Sequence, residues 1–160
     1  MRVRAAVEAD LAELVEVERR SGRWFRDVGM PEVAADPPMP VVALEVHRRA
    51  GSLWVTEAPV GPVAFLAGEE LDGGLHLAQL CVDPAWARRR LGAGLIEHAA
   101  RVTGAAALTL TTFRDVPWNA PYYGRLGFRV LAGPGGRLGG LLAAESARFR
   151  APRVAMRRER

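Results

Sequence analysis

Leu80-Cys81-Val82-Asp83-Pro84 leads, through residues 85–88, into Arg89-Arg90-Leu91-Gly92-Ala93-Gly94-Leu95, and this stretch decides the fold. The first part reads as an apolar strand closed by a proline. The second reads as the start of a glycine-punctuated helix. Its Leu95, Ile96, Ala99 and Val102 recur at helical spacing, and Gly104 stops it. A helix N-terminus carries unpaired N–H groups and partial positive charge, so a phosphate can sit there with little side-chain help. Gly92 and Gly94 have no Cβ and let a ligand approach the backbone closely. Arg89 and Arg90 add charge beside it. On these residues alone the motif fits either a phosphate cradle or a plain loop before an ordinary helix. Two familiar phosphate loops are excluded. A Walker loop needs a lysine, and the chain has none. A dinucleotide fingerprint needs a third glycine where Glu97 stands.

Upstream, Met1 to Ala6 predicts a strand. Asp10 with Glu13 three residues later reads as a capping box for a helix lined by Leu11, Leu14 and Val15 and ending near Gly22. Residues 23–40 carry Gly29, Pro31, Pro37, Pro38 and Pro40 and read as irregular. A helix follows over 41–50, then strands over 53–56, 63–67 and 75–82, with Asp72-Gly73-Gly74 as a hairpin signal. Downstream, 107–113 is a strand in which Leu108 and Leu110 alternate with Thr109 and Thr111. Asn119 reads as the cap of a short helix with Pro121 in its first turn, ended by Gly127. Then come a strand over 128–131, a flexible glycine-rich segment over 133–140, a short helix over 141–147 and a last strand over 153–157. No repeat or domain boundary interrupts this order, so one domain over 1–160 is expected. The class is α/β or α+β, with helices on the faces of a sheet.

Composition narrows the function. The chain has 160 residues, 22 basic and 18 acidic, for a net charge of +4. Every basic residue is an arginine, which fits a GC-rich coding bias. The arginines are scattered apart from Arg88-Arg89-Arg90 and Arg157-Arg158, and no basic helix or aromatic RNA-binding signature accompanies them. No nucleic-acid partner is expected. No apolar run approaches the ~18 residues of a membrane span. The N-terminus lacks an apolar signal core, so a cytoplasmic location and no membrane partner are expected. Cys81 is the one cysteine, which rules out intrachain disulfides and a cysteine metal cluster, and no metal is expected.

A second cluster completes the pattern: Trp118-Asn119-Ala120-Pro121-Tyr122-Tyr123, then Leu126-Gly127-Phe128. With it, the chain resembles the GNAT superfamily of acetyl-CoA-dependent N-acetyltransferases. Arg89, Gly92 and Gly94 match that family's Arg/Gln-x-x-Gly-x-Gly/Ala pyrophosphate signature. Val82-Asp83-Pro84 matches its strand end, and Tyr123, Gly127 and Phe128 match its later Tyr-x-x-x-Gly-Phe element. The order of elements fits over nearly the whole chain. The resemblance implies a central mixed, mostly antiparallel sheet of about seven strands with helices on both faces. Strands splay at the cofactor site.

The resemblance also implies roles. Acetyl-CoA is the acetyl donor. Its pantetheine would bond to backbone groups of Leu80, Cys81 and Val82. Its pyrophosphate would take amides from Arg90, Leu91, Gly92, Ala93, Gly94 and Leu95, beside Arg89. Asn119 resembles a cofactor contact, while as a residue it also reads as a plain helix cap. A neutral amine attacks the thioester directly, so orientation of two reactants dominates. Tyr123, a phenol of ordinary pKa ~10, holds its proton at neutral pH and can give it to the departing sulfur. His76, on the same strand as Val82, reads either as the general base or as a surface histidine past the hairpin. Thr111 stands where some protein N-terminal acetyltransferases carry a carboxylate base, so that mechanism does not transfer. His47 and His98 read as solvated helix residues. Cys81 reads as a small buried strand residue and not as an acyl carrier. The acceptor is a small-molecule or peptide amine, bounded by residues 18–40. Trp24 and Phe25 are possible walls, and Glu18, Asp27 and Glu32 are possible attractors. The alternative is a catalytically silent CoA-binding sensor. Homodimers are common in the family.

Overall fold

The computed structural model describes residues 1–160. They fold as two compact units, one of residues 1–68 and 79–102, the other of residues 69–78 and 103–160. The seven strands are β1 (Arg2–Ala5), β2 (Leu53–Ala58), β3 (Gly61–Leu71), β4 (Gly74–Val82), β5 (Ala107–Phe113), β6 (Arg129–Val130) and β7 (Arg153–Glu159), ordered β1-β2-β3-β4-β5-β7-β6. β1 with β2, β2 with β3, β5 with β7 and β6 with β7 run antiparallel, and β4 with β5 runs parallel. This is the mixed, mostly antiparallel seven-stranded sheet expected.

In the first unit, α1 (Leu11–Gly22) and α3 (Val41–Arg49) bury Leu14, Val17 and Leu44 against Leu53, Val55, Phe65, Ala67 and Cys81. The register pairs Leu53 with Ala67 and Val55 with Phe65, so strand alternation puts this set on one face. α2 (Pro31–Ala34) and a 3₁₀ turn over Arg23–Val28 occupy much of the segment that sequence reads as irregular. Asp10 does not cap α1 through its side chain. Its carboxylate turns back to accept the Val7 N–H at 2.8 Å and two bonds from Arg4 at 2.7 and 3.1 Å. A guanidinium within reach is a stronger partner than a helix amide.

His47 and His98 are half-buried, each with a partner in the fold. His47 Nδ1 lies 2.6 Å from the Gly68 carbonyl oxygen, and the half-buried His98 ring meets Trp54 edge-on at 6.4 Å. In α4 (Leu91–Thr103), Leu91, Leu95, Ile96, Ala99 and Ala100 are buried, but Val102, in the last turn, is 49% exposed.

In the second unit, β5 and β7 pair along their length, from Ala107 opposite Glu159 to Phe113 opposite Arg153. The glycine-rich segment is not a flexible loop. From Gly136 it is part of α6 (Gly136–Arg148). Asp72, at the β3–β4 turn, accepts the amides of Arg137 and Leu138 at 3.2 and 3.0 Å. A carboxylate from another element thus satisfies the first turn and complements its dipole. Leu138 is buried with Leu71 and Ala155, and Leu142 packs on that cluster. Gly139 is required here, because a Cβ would stand 2.2 Å from the Pro134 carbonyl oxygen.

Candidate active site

The entry to α4 is built by side chains of the first unit. Asp83 accepts the Ala85 amide at 3.0 Å through Oδ1 and Arg20 Nε at 2.7 Å through Oδ2, while its own N–H donates to Val63 at 2.9 Å. This fixes the strand end and a 3₁₀ turn over Pro84–Trp86. Arg88 and Arg90 then take left-handed backbone conformations, φ 62° and 59°. Each costs about 1–2 kcal/mol for a residue with a Cβ. Such cost is concentrated at binding sites and switches. Arg88, Arg89 and Arg90 are all exposed, and the Arg89 guanidinium stacks 4.7 Å over the Trp86 ring. The first intrahelical bond of α4 runs from Gly94 N–H to Arg90 O at 3.0 Å. The amides of Leu91, Gly92 and Ala93 therefore precede the helical ladder and point out of its positive end. A Cβ on Gly94 would meet nothing within 4 Å. Three cations, three helix-end amides and open space over Gly94 fit a pyrophosphate group.

β4 supplies the strand before this turn. Its parallel ladder with β5 holds two pairs, Leu75 with Leu108 and His76 with Thr109, although β4 continues to Val82. Leu80 and Val82 are half-buried. Cys81 faces the core, where burial and the nearby Glu18 charge push its thiol up to about 12. A buried thiol held in its neutral form fits the small core residue expected of Cys81.

In the second unit, α5 (Ala120–Arg125) holds Tyr123. Its Tyr-x-x-x-Gly-Phe spacing has a structural cause. The Phe128 N–H returns to the Tyr123 carbonyl at 3.1 Å and the Gly127 N–H to Gly124 at 3.1 Å, with Gly127 at φ 90°. This is a Schellman C-cap, and its apolar contact is the Tyr123–Phe128 ring pair, 5.8 Å apart. Tyr122 packs edge-on to Tyr123 at 5.4 Å. The Tyr123 side chain is thus held on two sides, and the residue is 9% exposed.

Asn119 precedes α5 but forms no side-chain cap. Its Nδ2 donates to the Trp118 carbonyl at 3.3 Å, and its Oδ1 is buried without a hydrogen-bond partner. An orphaned buried acceptor costs about 1–3 kcal/mol and marks a place for a donor. Thr111 Oγ1 accepts from Arg153 at 3.4 Å. His76 is not a surface residue: it is 2% exposed, with Nδ1 2.9 Å from Thr109 Oγ1. Burial lowers its pKa, against the opposing charges of Glu69, Glu145 and Asp72. A base must reach the proton it takes, and His76 is enclosed. Trp24 and Phe25 are half-buried, and Asp27 and Glu32 are exposed. No group of three or more His, Cys, Asp or Glu side chains is placed to hold a metal, and no helix is long and apolar enough to cross a membrane.

A family model described as an acetyltransferase (GNAT) domain matches residues 49–130. Among solved structures, the chain is similar to the PaiA N-acetyltransferase of Thermoplasma acidophilum in complex with coenzyme A. The identity is 16% over 99% of this chain and 98% of that one, with a TM-score of 0.70. It is similar to the ribosomal-protein-S18-alanine N-acetyltransferase of Escherichia coli at 18% identity, over 99% and 92%, with a TM-score of 0.68. It is also similar to Naa20 of Chaetomium thermophilum, solved with a bisubstrate analogue, at 16% identity, over 99% and 86%, with a TM-score of 0.69.

Proposed function

The chain belongs to the GNAT acetyltransferase family, and from that premise we propose that it transfers an acetyl group from acetyl-CoA to a primary amine of a small molecule or peptide. We assign the whole of residues 1–160 to this one activity. The observation that carries the reading is the strained, triply cationic turn at Arg88–Arg90 ahead of the α4 amides. Coenzyme A in the Thermoplasma relative and the bisubstrate analogue in the Chaetomium relative support the same donor here.

Bound acetyl-CoA supplies an activated thioester carbonyl. The chain's residues do the rest. The amides of Arg90, Leu91, Gly92 and Ala93, with Arg89, hold the pyrophosphate, while the Gly94 N–H is taken by the Arg90 carbonyl and Gly94 and Leu95 flank the group without donating to it. The backbone of Leu80, Cys81 and Val82 aligns the pantetheine arm by strand-like bonds, and Asn119 Oδ1 accepts from the cofactor. Tyr123 holds a phenolic proton and gives it to the departing sulfur. Orientation of donor and acceptor supplies most of the acceleration. We give His76 no proton-transfer role, because it is enclosed beside Thr109.

Tyr123→Phe tests the assignment. It keeps the ring contacts with Tyr122 and Phe128 and removes only the hydroxyl. The expected result is a fall in kcat of about 10²-fold with acetyl-CoA affinity unchanged, read by release of CoA thiol. Undiminished kcat would remove Tyr123 from the mechanism.

A further inference from the structure

One carboxyl group is placed unlike the other acids of residues 18–40. Glu18 lies on α1, and its Oε2 accepts the Met39 amide at 3.0 Å. Its Oε1 is buried and has no hydrogen-bond partner. The Gln79 carboxamide is near enough to favour the ionised carboxylate but does not reach bonding geometry, and its Nε2 lies instead 3.4 Å from Cys81 Sγ. Glu18 therefore sits near Gln79 and Cys81, on the strand whose Leu80–Val82 backbone is assigned above to the pantetheine arm. An unsatisfied carboxylate oxygen is costly to bury, and a cationic donor would satisfy it.

We propose that Glu18 receives the acceptor amine, its Oε1 taking a hydrogen bond from the incoming ammonium and then one of its protons. This inference rests on the acetyl-CoA reading above. The step balances. The ammonium loses a first proton to Glu18, and its nitrogen forms the amide bond as the carbon–sulfur bond breaks. Tyr123 protonates the sulfur. The second proton, lost as the nitrogen becomes an amide, makes good the one Tyr123 gave, so one proton per turnover reaches solvent.

Burial raises the Glu18 pKa, the Asp36 charge raises it further, and the Met39 amide and Gln79 oppose. The other titratable neighbour is the Cys81 thiol, neutral throughout the working range. A raised carboxylate pKa moves the group toward the range useful to a general base. The sign follows. Activity is present above the raised pKa and lost as pH falls through it, at a higher pH than an ordinary glutamate would give.

Glu18→Gln keeps an oxygen for the Met39 amide and removes the proton acceptor. Wild type and variant are compared with acetyl-CoA and two acceptors, benzylamine and trialanine. The expected result is equal acetyl-CoA binding, a kcat lower by roughly 10²-fold or more in the variant, and loss of the acid limb of the pH profile. Equal rates with the same acid limb would overturn the role of Glu18. Failure of both proteins to bind acetyl-CoA would instead overturn the cofactor reading. A second measurement needs no turnover. In the complex with CoA, which has no acetyl group to transfer, benzylammonium lowers the apparent pKa of Glu18 followed by carboxyl ¹³C NMR, and an unmoved titration overturns the proposal.

Discussion

Asp10 shows how a single side chain can be read for the wrong partner. Its position before α1 and the Glu13 spacing point to a capping box, yet its carboxylate is taken by Arg4 and the Val7 amide. Sequence spacing sees only the local competitor. Arg4 arrives from β1, where Arg4 is paired with Val55 of β2, and also reaches Glu57 at 3.0 Å. Burial pushes the Asp10 pKa up, but the Arg4 guanidinium and the Val7 N–H outweigh it and hold the carboxyl below its usual value. A depressed folded pKa contributes stability that is present above the unfolded pKa and lost as pH falls through the folded one. Asp10→Asn should therefore cost about 1.5–3 kcal/mol at pH 7, the range for hydrogen bonds to charged groups. Urea unfolding of both proteins should show the gap closing as pH falls below about 5. A gap that stays constant down to pH 2.5 would mean that charge plays no part.

At the scale of elements, the entry to α4 makes the sharpest separation between folding and binding. Gly94 lies in the first helical turn under open space. Alanine there should add about 0.5–1 kcal/mol to stability and leave acetyl-CoA binding near wild type, since the family signature accepts alanine at this position. Gly94→Glu should fold as stably as wild type yet bind acetyl-CoA at least about tenfold more weakly, a loss of about 1.4 kcal/mol, because a carboxylate then stands in an anion site. Equal affinity in both variants would mean that the phosphates lie elsewhere. α5 was legible for a different reason. The interval from Tyr123 to Gly127 and Phe128 is a C-cap geometry as well as a family motif, so local chemistry and function impose the same spacing. α6 was not legible from its N-terminus. Its cap is Asp72, distant in sequence, and no local pattern announces a helix in a run containing Gly133, Gly135, Gly136, Gly139 and Gly140.

At the scale of the whole molecule, the class and the order of elements along the chain were legible because apolar runs such as 63–67 and 75–82 are bounded by turn residues, whereas the order of strands in the sheet was not. The paired arginine–glycine and tyrosine–glycine–phenylalanine motifs then point to one family. The strand end at Leu80–Val82 and the helix start after Arg90, proposed above as the cofactor site, were legible as elements. A side chain's role was not legible where burial decides it. His76 and Glu18 have the same polar appearance in sequence. One is enclosed on Thr109, and the other keeps a buried oxygen without a partner. Only tertiary packing separates them.

The most direct test of the central claim is calorimetric titration of the full chain with acetyl-CoA, with the folded state confirmed beforehand. The account predicts saturable binding at one site per chain. No heat of binding from correctly folded protein, across temperatures that separate a zero enthalpy from no interaction, would contradict it.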